Sequence, residues 1–377
     1  MKIGIDARFF GPKAKGLGRY TQKLIEELEK NDDQNDYLIF LRQENFNEYQ
    51  PQSPRFKKIL APWRWYSLGE QIFFPCQLYG HKIDLMHFTH FNAPALYVRP
   101  FVITIHDLIL QRFPTAKDTF FGRIKYWFKN IGYKIVIRLA AAKAKKIITV
   151  SQFVKNDIIK YFGAAEEKIT VIYEGSPKVA NRQEPNSNRE ILEKYKIKKP
   201  YLLYVGNAYP HKNLPNLAKA FQLLRDGRYQ ELQLVLVGGE DYFYQKLKKA
   251  NCNSAGVCFG GGVVFTGFVP DNELQSLYEE AEAYVFPSLC EGFGLPPLEA
   301  MSYALPVASS SATCLPEILG EAALYFDALD VKDMAEKIGQ IISDKKLRQG
   351  MIEAGLKQIE KYSWQKMAKA TREIYSR

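Results

Sequence analysis

Residues 283–301 read A-Y-V-F-P-S-L-C-E-G-F-G-L-P-P-L-E-A-M, compressing a strand, a turn and a helix start into one run. Tyr284, Val285 and Phe286 are β-formers halted by Pro287. Gly292 and Gly294 let the backbone turn around Phe293, and Pro296 and Pro297 suit the first turn of a helix continuing through Leu298, Glu299 and Met301. A loop that feeds a helix N-terminus offers N–H groups and the positive end of a dipole to an anion, and glycine lets that anion approach the backbone. Glu291 stands before the turn and Glu299 eight residues later. One carboxylate is thereby placed to face a reacting group, the other to reach hydroxyls further along a ligand. Spacing alone leaves a plainer reading equally open: Glu in a first helical turn is commonly a dipole cap, and Gly-Phe-Gly is often only a turn.

The run E-G-F-G-L-P-P-L-E, residues 291–299, resembles the E-x7-E signature of the retaining glycosyltransferases of the GT-B fold, the large group 1 family. Its neighbours resemble that family too: A-L-P-V-A at 304–308 matches a strand and L-P-E-I at 315–318 a helix start. The resemblance covers essentially the whole chain and is strongest over residues 200–327. It implies an α/β fold of two doubly wound Rossmann-like domains facing a cleft.

Composition sets the outer bounds. With 377 residues, 46% hydrophobic and 25% charged, the chain has the make-up of a globular protein of about two domains. No apolar run reaches a membrane-spanning length, and Met1 leads directly into a strand without a signal-peptide core, so a cytoplasmic location is expected. The five cysteines are odd in number and scattered, and Cys252 with Cys258 lacks zinc-ligand spacing, which favours reduced thiols. Charge divides unevenly. Through Lys178 there are 28 Lys and Arg against 17 Asp and Glu, and afterwards 24 against 24, so the whole +11 lies in the first half.

In chain order, a strand over 2–7 leads into a loop and then G-L-G-R-Y at 16–20, opening a helix through Leu28. This strand, Gly-rich loop and helix does not complete G-x-G-x-x-G and is a weak signal alone. Strands follow at 37–41, 85–88 and 101–105, the last ending in His106-Asp107 at the carboxyl edge, where open α/β sheets bind ligands. Residues 120–146 hold eight Lys or Arg, no acid, and six interleaved aromatics, with helical periodicity and a break near Gly132. Two readings stand: an amphipathic helix with a solvated basic face, or a contact for an anionic membrane surface or lipid-linked acceptor. A strand at 147–150 precedes Ser151 as a helix cap, and 169–173 closes the first sheet. Residues 177–199 read as linker and lead-in. Strands at 201–205, 232–237 and 263–266, alternating with helices, build a second sheet. Helices over 333–362 and one starting at Ser363 finish the chain. The boundaries are a first domain over 1–178, a second over 179–361, and a terminal helix over 362–377 that the resemblance places back on the first.

The family resemblance then implies roles. G-L-G-R-Y matches a loop over the donor phosphates, bringing in Gly16 and Gly18; T-I-H-D-L matches a strand end whose His, here His106, lies beside sugar and diphosphate. V-G-N-A-Y-P-H-K-N-L, residues 205–214, matches a phosphate-binding segment in which Lys212 would meet the diphosphate, helped by His211 or Arg19. Many members carry Arg where this chain has Asn207, and Asn-Gly where it has Glu174-Gly175. Glu291 would hold sugar hydroxyls and favour positive charge at the anomeric carbon, and Glu299 would bind the ribose. Val269, Gly292, Phe293, Gly294 and Leu295 complete the donor set. The expectation is a retaining hexosyltransferase using a nucleotide sugar as co-substrate, with no other cofactor and, since no D-x-D occurs, no metal. I-G-I-D-A-R, G-L-G-R-Y and H-D-L together look most like the GDP-mannose branch serving surface polysaccharide, with a glycan or lipid-linked acceptor. A nucleotide-sugar epimerase or phosphorylase of the same architecture is the alternative. A nucleic-acid binder fits only the basic first half, and no base-reading motif accompanies it.

Overall fold

The computed structural model describes residues 1–11, 14–113, 120–180, 185–251 and 262–376, with backbone alone for residues 15, 120–129, 185–187, 250 and 251. The chain forms two compact units, Met1–Gly175 with Tyr362–Arg377, and Ser176–Lys361.

The first unit is built from β1 (Lys2–Asp6), α1 (Lys15–Asn31), β2 (Asp36–Leu41), β3 (Phe56–Leu60), α2 (Leu68–Gly80), β4 (Leu85–Phe88), β5 (Phe101–Ile105), α3 (Ile109–Arg112), α4 (Phe120–Lys143), β6 (Lys146–Thr149), α5 (Gln152–Phe162) and β7 (Ile169–Val171). Its strands run parallel in the order β3-β2-β1-β4-β5-β6-β7. Such strands are buried on both faces, which is why I-G-I, L-I-F-L and F-V-I-T-I are near-continuous apolar runs. One face packs Phe40, Phe88 and Ile103 against Phe74 and Leu78 of α2, Ile137 and Ala140 of α4, and Val154 and Ile158 of α5. The other packs Ile3, Ile5 and Val102 against Tyr20, Leu24 and Leu28 of α1 together with Met367, Ile374 and Tyr375 near the C-terminus.

The second unit follows with α6 (Pro185–Lys194), β8 (Tyr201–Val205), α7 (Leu214–Asp226), β9 (Gln233–Val237), α8 (Tyr242–Asn251), β10 (Val263–Gly267), α9 (Asp271–Glu279), β11 (Ala283–Phe286), α10 (Leu295–Ser302), β12 (Val307–Ser310), α11 (Leu315–Leu319), β13 (Ala323–Phe326), α12 (Val331–Ser343) and α13 (Lys345–Ile359); α14 (Trp364–Tyr375) returns to the first unit. The order β10-β9-β8-β11-β12-β13 is again all parallel. The chain leaves β8 in one direction and comes back to β11 on its other side. That reversal is the switch point at which open α/β sheets take ligands, and the second domain's strand-end loops meet there. In the first sheet the reversal lies between β1 and β4.

Two details differ from expectation. The helix over 120–143 runs through Gly132 without a break: an interior Gly costs only about 1 kcal/mol relative to Ala, and the packing of Ile137, Ala140 and Ala141 on the sheet offsets it. Strand β3 and helix α2 occupy a stretch to which sequence pattern assigned nothing. Cys76, Cys290 and Cys314 are free thiols; Cys252 and Cys258 lie outside the described residues.

Candidate active site

At the switch point of the second sheet, loops following β8, β11 and β12 are tied together. The Leu289 N–H donates to the His211 carbonyl at 2.7 Å, and Asn213 Nδ2 donates to the carbonyls of Pro287 at 3.1 Å and Ala328 at 2.6 Å. From the third loop, Thr313 Oγ1 accepts the Glu291 N–H at 3.1 Å, and the Cys314 thiol donates to the carbonyls of Glu291 and Phe293 at 3.4 Å each. These bonds fix the direction of Glu291. Its carboxylate receives Lys212 Nζ at 2.5 Å, and both side chains keep a little accessibility, 13% for Lys212 and 10% for Glu291. Lys212 also lies over the Phe286 ring, 5.3 Å from its centre. Two residues assigned separately from sequence, 79 positions apart, thus form one ion pair.

The expected anion cradle at the α10 N-terminus is narrower than its outline implied. Gly294 takes a φ of 100°, a conformation open to glycine and strained for others, and a Cβ there would approach Leu315 to 2.9 Å. Pro296 and Pro297 occupy positions whose N–H groups would otherwise be available, so the helix end contributes its dipole and the few donors preceding residue 296. Phe293 and Leu295 are buried. Glu299, half-buried in α10, accepts from the Tyr278 hydroxyl at 3.4 Å. Val269 is buried beyond the edge strand β10, two strands from β8.

Asn207 and His211 lie in the loop that leads to Lys212. Asn207 Oδ1 accepts the Tyr209 N–H at 3.3 Å and its carbonyl accepts the Tyr204 hydroxyl at 2.7 Å, so Asn207 shapes the loop that presents Lys212. His211 is buried, and that burial with the neighbouring Lys212 charge pushes its pKa down to about 4, against a smaller opposing effect of Glu291. Without a ligand the ring is therefore neutral, and any charge it offered a diphosphate would have to be induced by the diphosphate itself.

The first unit gathers a separate set at its own carboxyl edge. His106 follows β5 with Nδ1 3.0 Å from Glu174 Oε1 and Nε2 3.0 Å from the Thr89 carbonyl, so both ring nitrogens face acceptors. The Tyr20 ring meets it edge-on at 4.5 Å, which sets the start of α1 beside His106. Within that start Gly18 is required: a Cβ would lie 2.0 Å from the Gly11 carbonyl oxygen, whereas nothing lies within 4 Å of one at Gly16. Nearby stands a cluster that sequence reasoning missed. Arg8, 0% accessible, bonds Asp6 through Nε and Nη2 at 2.7 Å each and Glu70 through Nη2 at 2.7 Å. Asn92 Nδ2 and the Tyr66 N–H also donate to Glu70. Burial pushes the Glu70 pKa up while the Arg8 charge opposes it. Asp6 and Arg8 were visible in I-G-I-D-A-R; Glu70, from unassigned sequence, and Asn92, in the loop between the strands at 85–88 and 101–105, carried no signal. Among the described residues no group of three or more His, Cys, Asp or Glu is arranged to hold a metal ion.

Comparison with known proteins places these features. The family description Glycosyl transferases group 1 matches residues 187–358, and Glycosyltransferase Family 4 matches residues 14–176. The chain is 31% identical over 305 residues to O-antigen chain mannosyltransferase B of Escherichia coli, covering 79% of this chain and 75% of that one. It is 31% identical over 263 residues to O-antigen chain mannosyltransferase RfbU of Salmonella typhimurium, covering 70% and 66%. In fold it is similar to sucrose-phosphate synthase from Thermosynechococcus elongatus, with a TM-score of 0.77 at 18% identity over 100% of this chain and 98% of that one. WaaG, a glycosyltransferase involved in lipopolysaccharide biosynthesis, gives 0.72 at 16% identity over 99% of each chain.

Proposed function

Because the chain belongs to the group 1 glycosyltransferases, we propose that it moves mannose from GDP-mannose, with retention of configuration, to a glycan or lipid-linked glycan in surface polysaccharide synthesis. The mannosyltransferase names of the two relatives support the sugar and the pathway. The observation that carries the reading is the Lys212–Glu291 pair held at the second sheet's switch point. In the reaction the bond from the anomeric carbon to the diphosphate oxygen breaks, its electron pair leaving with the diphosphate. The acceptor oxygen then bonds to that carbon and passes its proton to the departing diphosphate oxygen. Lys212 leaves Glu291 for the departing diphosphate, aided by the α10 dipole and the N–H groups of the Gly292–Gly294 turn. Glu291, released, holds sugar hydroxyls and favours the positive charge that develops at the anomeric carbon. Glu299 holds the ribose, and His106 with the first turn of α1 at Gly16 and Gly18 completes the phosphate and sugar contacts. The nucleotide sugar is co-substrate, without metal or further cofactor. The enzyme works in the cytoplasm, and residues 120–146 bring its first domain to an anionic membrane; the aromatics Phe120 to Phe128 of that stretch lie outside the described side chains.

A thermal-shift panel of nucleotide sugars tests the donor. GDP-mannose at a hundredfold excess over its Kd should stabilise the protein by about 2.7 kcal/mol, and UDP- and ADP-sugars at equal concentration by much less. A larger shift from another base corrects the donor, and no shift from any of them overturns the reading.

A further inference from the structure

Helix α2 reads L-G-E-Q-I-F-F-P-C-Q-L-Y-G, apolar around most of its circumference, which is the pattern of a helix enclosed on all sides or lying in lipid. Only one face is enclosed. Phe74, Pro75 and Leu78 pack inward, while Leu68 at 82% accessible, Ile72, Phe73 and Cys76 are exposed. The turn over residues 94–98 continues this surface. Its Ala95 N–H donates to Gln71 Oε1, and the Tyr79 hydroxyl donates to the Leu96 carbonyl and accepts the Val98 N–H. Leu96 and Val98 therefore stand beside α2, 58% and 73% accessible. On the far side Lys143 Nζ donates to the Ala95 carbonyl at 2.8 Å, joining α4 to the same turn. Ile131, Ile135 and Leu139, four residues apart on one stripe of α4, are exposed too. An apolar surface spread over three elements exceeds the scattered exposure normal for a monomer.

The charges around it have one sign. Among the described side chains of α2, the 94–98 turn and α4, the one carboxylate is Glu70, buried against Arg8. Lys134, Arg138 and Lys143 are exposed, and Arg99 lies over the Tyr79 ring. A second copy docking through the same patch would set these cations against themselves, because a two-fold interface repeats one surface. An anionic bilayer answers both halves of the pattern, apolar side chains at the acyl boundary and cations at the phosphates. We propose that this face of the first unit is a membrane-insertion surface, in which Leu68, Ile72, Phe73, Leu96 and Val98 enter the interface and Lys134, Arg138 and Lys143 meet anionic headgroups. This deepens the membrane part of the reading above: attachment comes from apolar insertion through α2 as well as from basic attraction through α4.

The test is co-sedimentation of the full chain with vesicles of phosphatidylglycerol and phosphatidylcholine, and of phosphatidylcholine alone, at low and high salt. Wild type should bind the anionic vesicles and keep part of that binding at high salt. Leu68→Gln/Ile72→Gln/Phe73→Gln should bind about tenfold or more weakly, and what remains should vanish with salt. Lys134→Gln/Arg138→Gln should lose the preference for anionic lipid. Since these positions are exposed, melting temperature and donor-induced shift should match wild type, which separates failure here from failure of the donor assignment. Wild-type binding by the triple variant overturns the proposal. So does absence of vesicle binding with a dimer in sedimentation velocity that the triple variant dissociates.

Discussion

The carboxyl edges of the two sheets hold their polar side chains by different means. In the first unit a guanidinium with no access to solvent is clamped between Asp6 and Glu70, and His106 has both nitrogens engaged by Glu174 and Thr89. In the second, uncharged hydrogen bonds to the backbone of neighbouring loops carry the structure, and the Lys212–Glu291 ion pair retains contact with water. A clamp of buried charges stabilises an edge only while all its members are present, because any one left alone is uncompensated in a low-dielectric surrounding. An edge tied by uncharged hydrogen bonds leaves its charged side chains able to exchange partners. The function proposed above uses that exchange in the second unit, where it has a diphosphate met and released.

The largest test of this contrast compares Arg8→Met with Lys212→Met. Arg8→Met strands Asp6 and Glu70, and should destabilise the first unit by about 3 to 5 kcal/mol. Lys212→Met leaves Glu291 partly hydrated, and should cost about 1 to 2 kcal/mol. All four tryptophans, Trp63, Trp65, Trp127 and Trp364, belong to the first unit, so their fluorescence in urea follows that unit while circular dichroism follows both. Equal losses for the two variants would erase the distinction.

The same contrast explains what the sequence disclosed. The second edge was legible because its parts are contiguous: residues 205–214 and 291–299 each carry turn chemistry, a helix start and charge within about ten positions. Their pairing across 79 positions needed the fold. The first edge was mostly illegible. Arg8 meets Glu70 from 62 positions away, and α2 lacks the 3.6-residue alternation that marks a helix because it is apolar on its outward face as well. Strand β3, F-K-K-I-L, hides in the same way, its two lysines breaking the apolar run of a buried strand. The exposure that disguised α2 is the feature on which its proposed membrane role rests. Alternating strands and helices elsewhere were enough to fix two parallel sheets, since periodicity survives where one face of each helix is wet.

Acid should sharpen the contrast at intermediate cost. Burial pushes the His87 pKa down to about 3, with the charge of His106 acting in the same direction, and its ring bonds Tyr375 and Thr104 at 2.6 and 2.8 Å. His90, packed against Phe9 and Phe91, is likewise lowered by burial, then by His106 and Arg8. The second unit has His211, lowered to about 4. Each ring stays neutral when folded and takes a proton when unfolded below about pH 6.5, so the stability these residues contribute is complete above that pH and is lost as pH falls toward the folded values. At pH 5 His87 and His211 each account for roughly 2 kcal/mol, and His90 adds to the first unit's share in the same direction. Melting followed by tryptophan fluorescence should therefore shift further between pH 7 and pH 5 than the circular dichroism transition of the second unit. Equal shifts would mean that His90 titrates normally.

The smallest effect separates the two carboxylates of the second edge. Glu291 is fixed by Thr313 and Cys314 at the mouth of the Gly292–Gly294 turn, against the Lys212 ammonium. Glu299 lies within α10, a helical turn beyond Leu295, and shares a 3.4 Å contact with the Tyr278 hydroxyl. A group acting on charge that appears only in the transition state changes kcat, and one holding a part of the donor remote from the reacting carbon changes KM. Glu291→Gln keeps the shape and removes the charge, and should lower kcat by about a hundredfold with little change in donor KM. Glu299→Gln should raise donor KM by about tenfold, the loss of one charge-assisted hydrogen bond to a ribose hydroxyl, and leave kcat within a factor of about two. Inhibition by nucleoside diphosphate refines the assignment, because its Kd contains the ribose contact without the sugar: it should weaken with Glu299→Gln and hold with Glu291→Gln. If the diphosphate binds both variants equally while kcat falls in both, Glu299 acts on the sugar as well, and the division of labour along the eight-residue spacing is refuted.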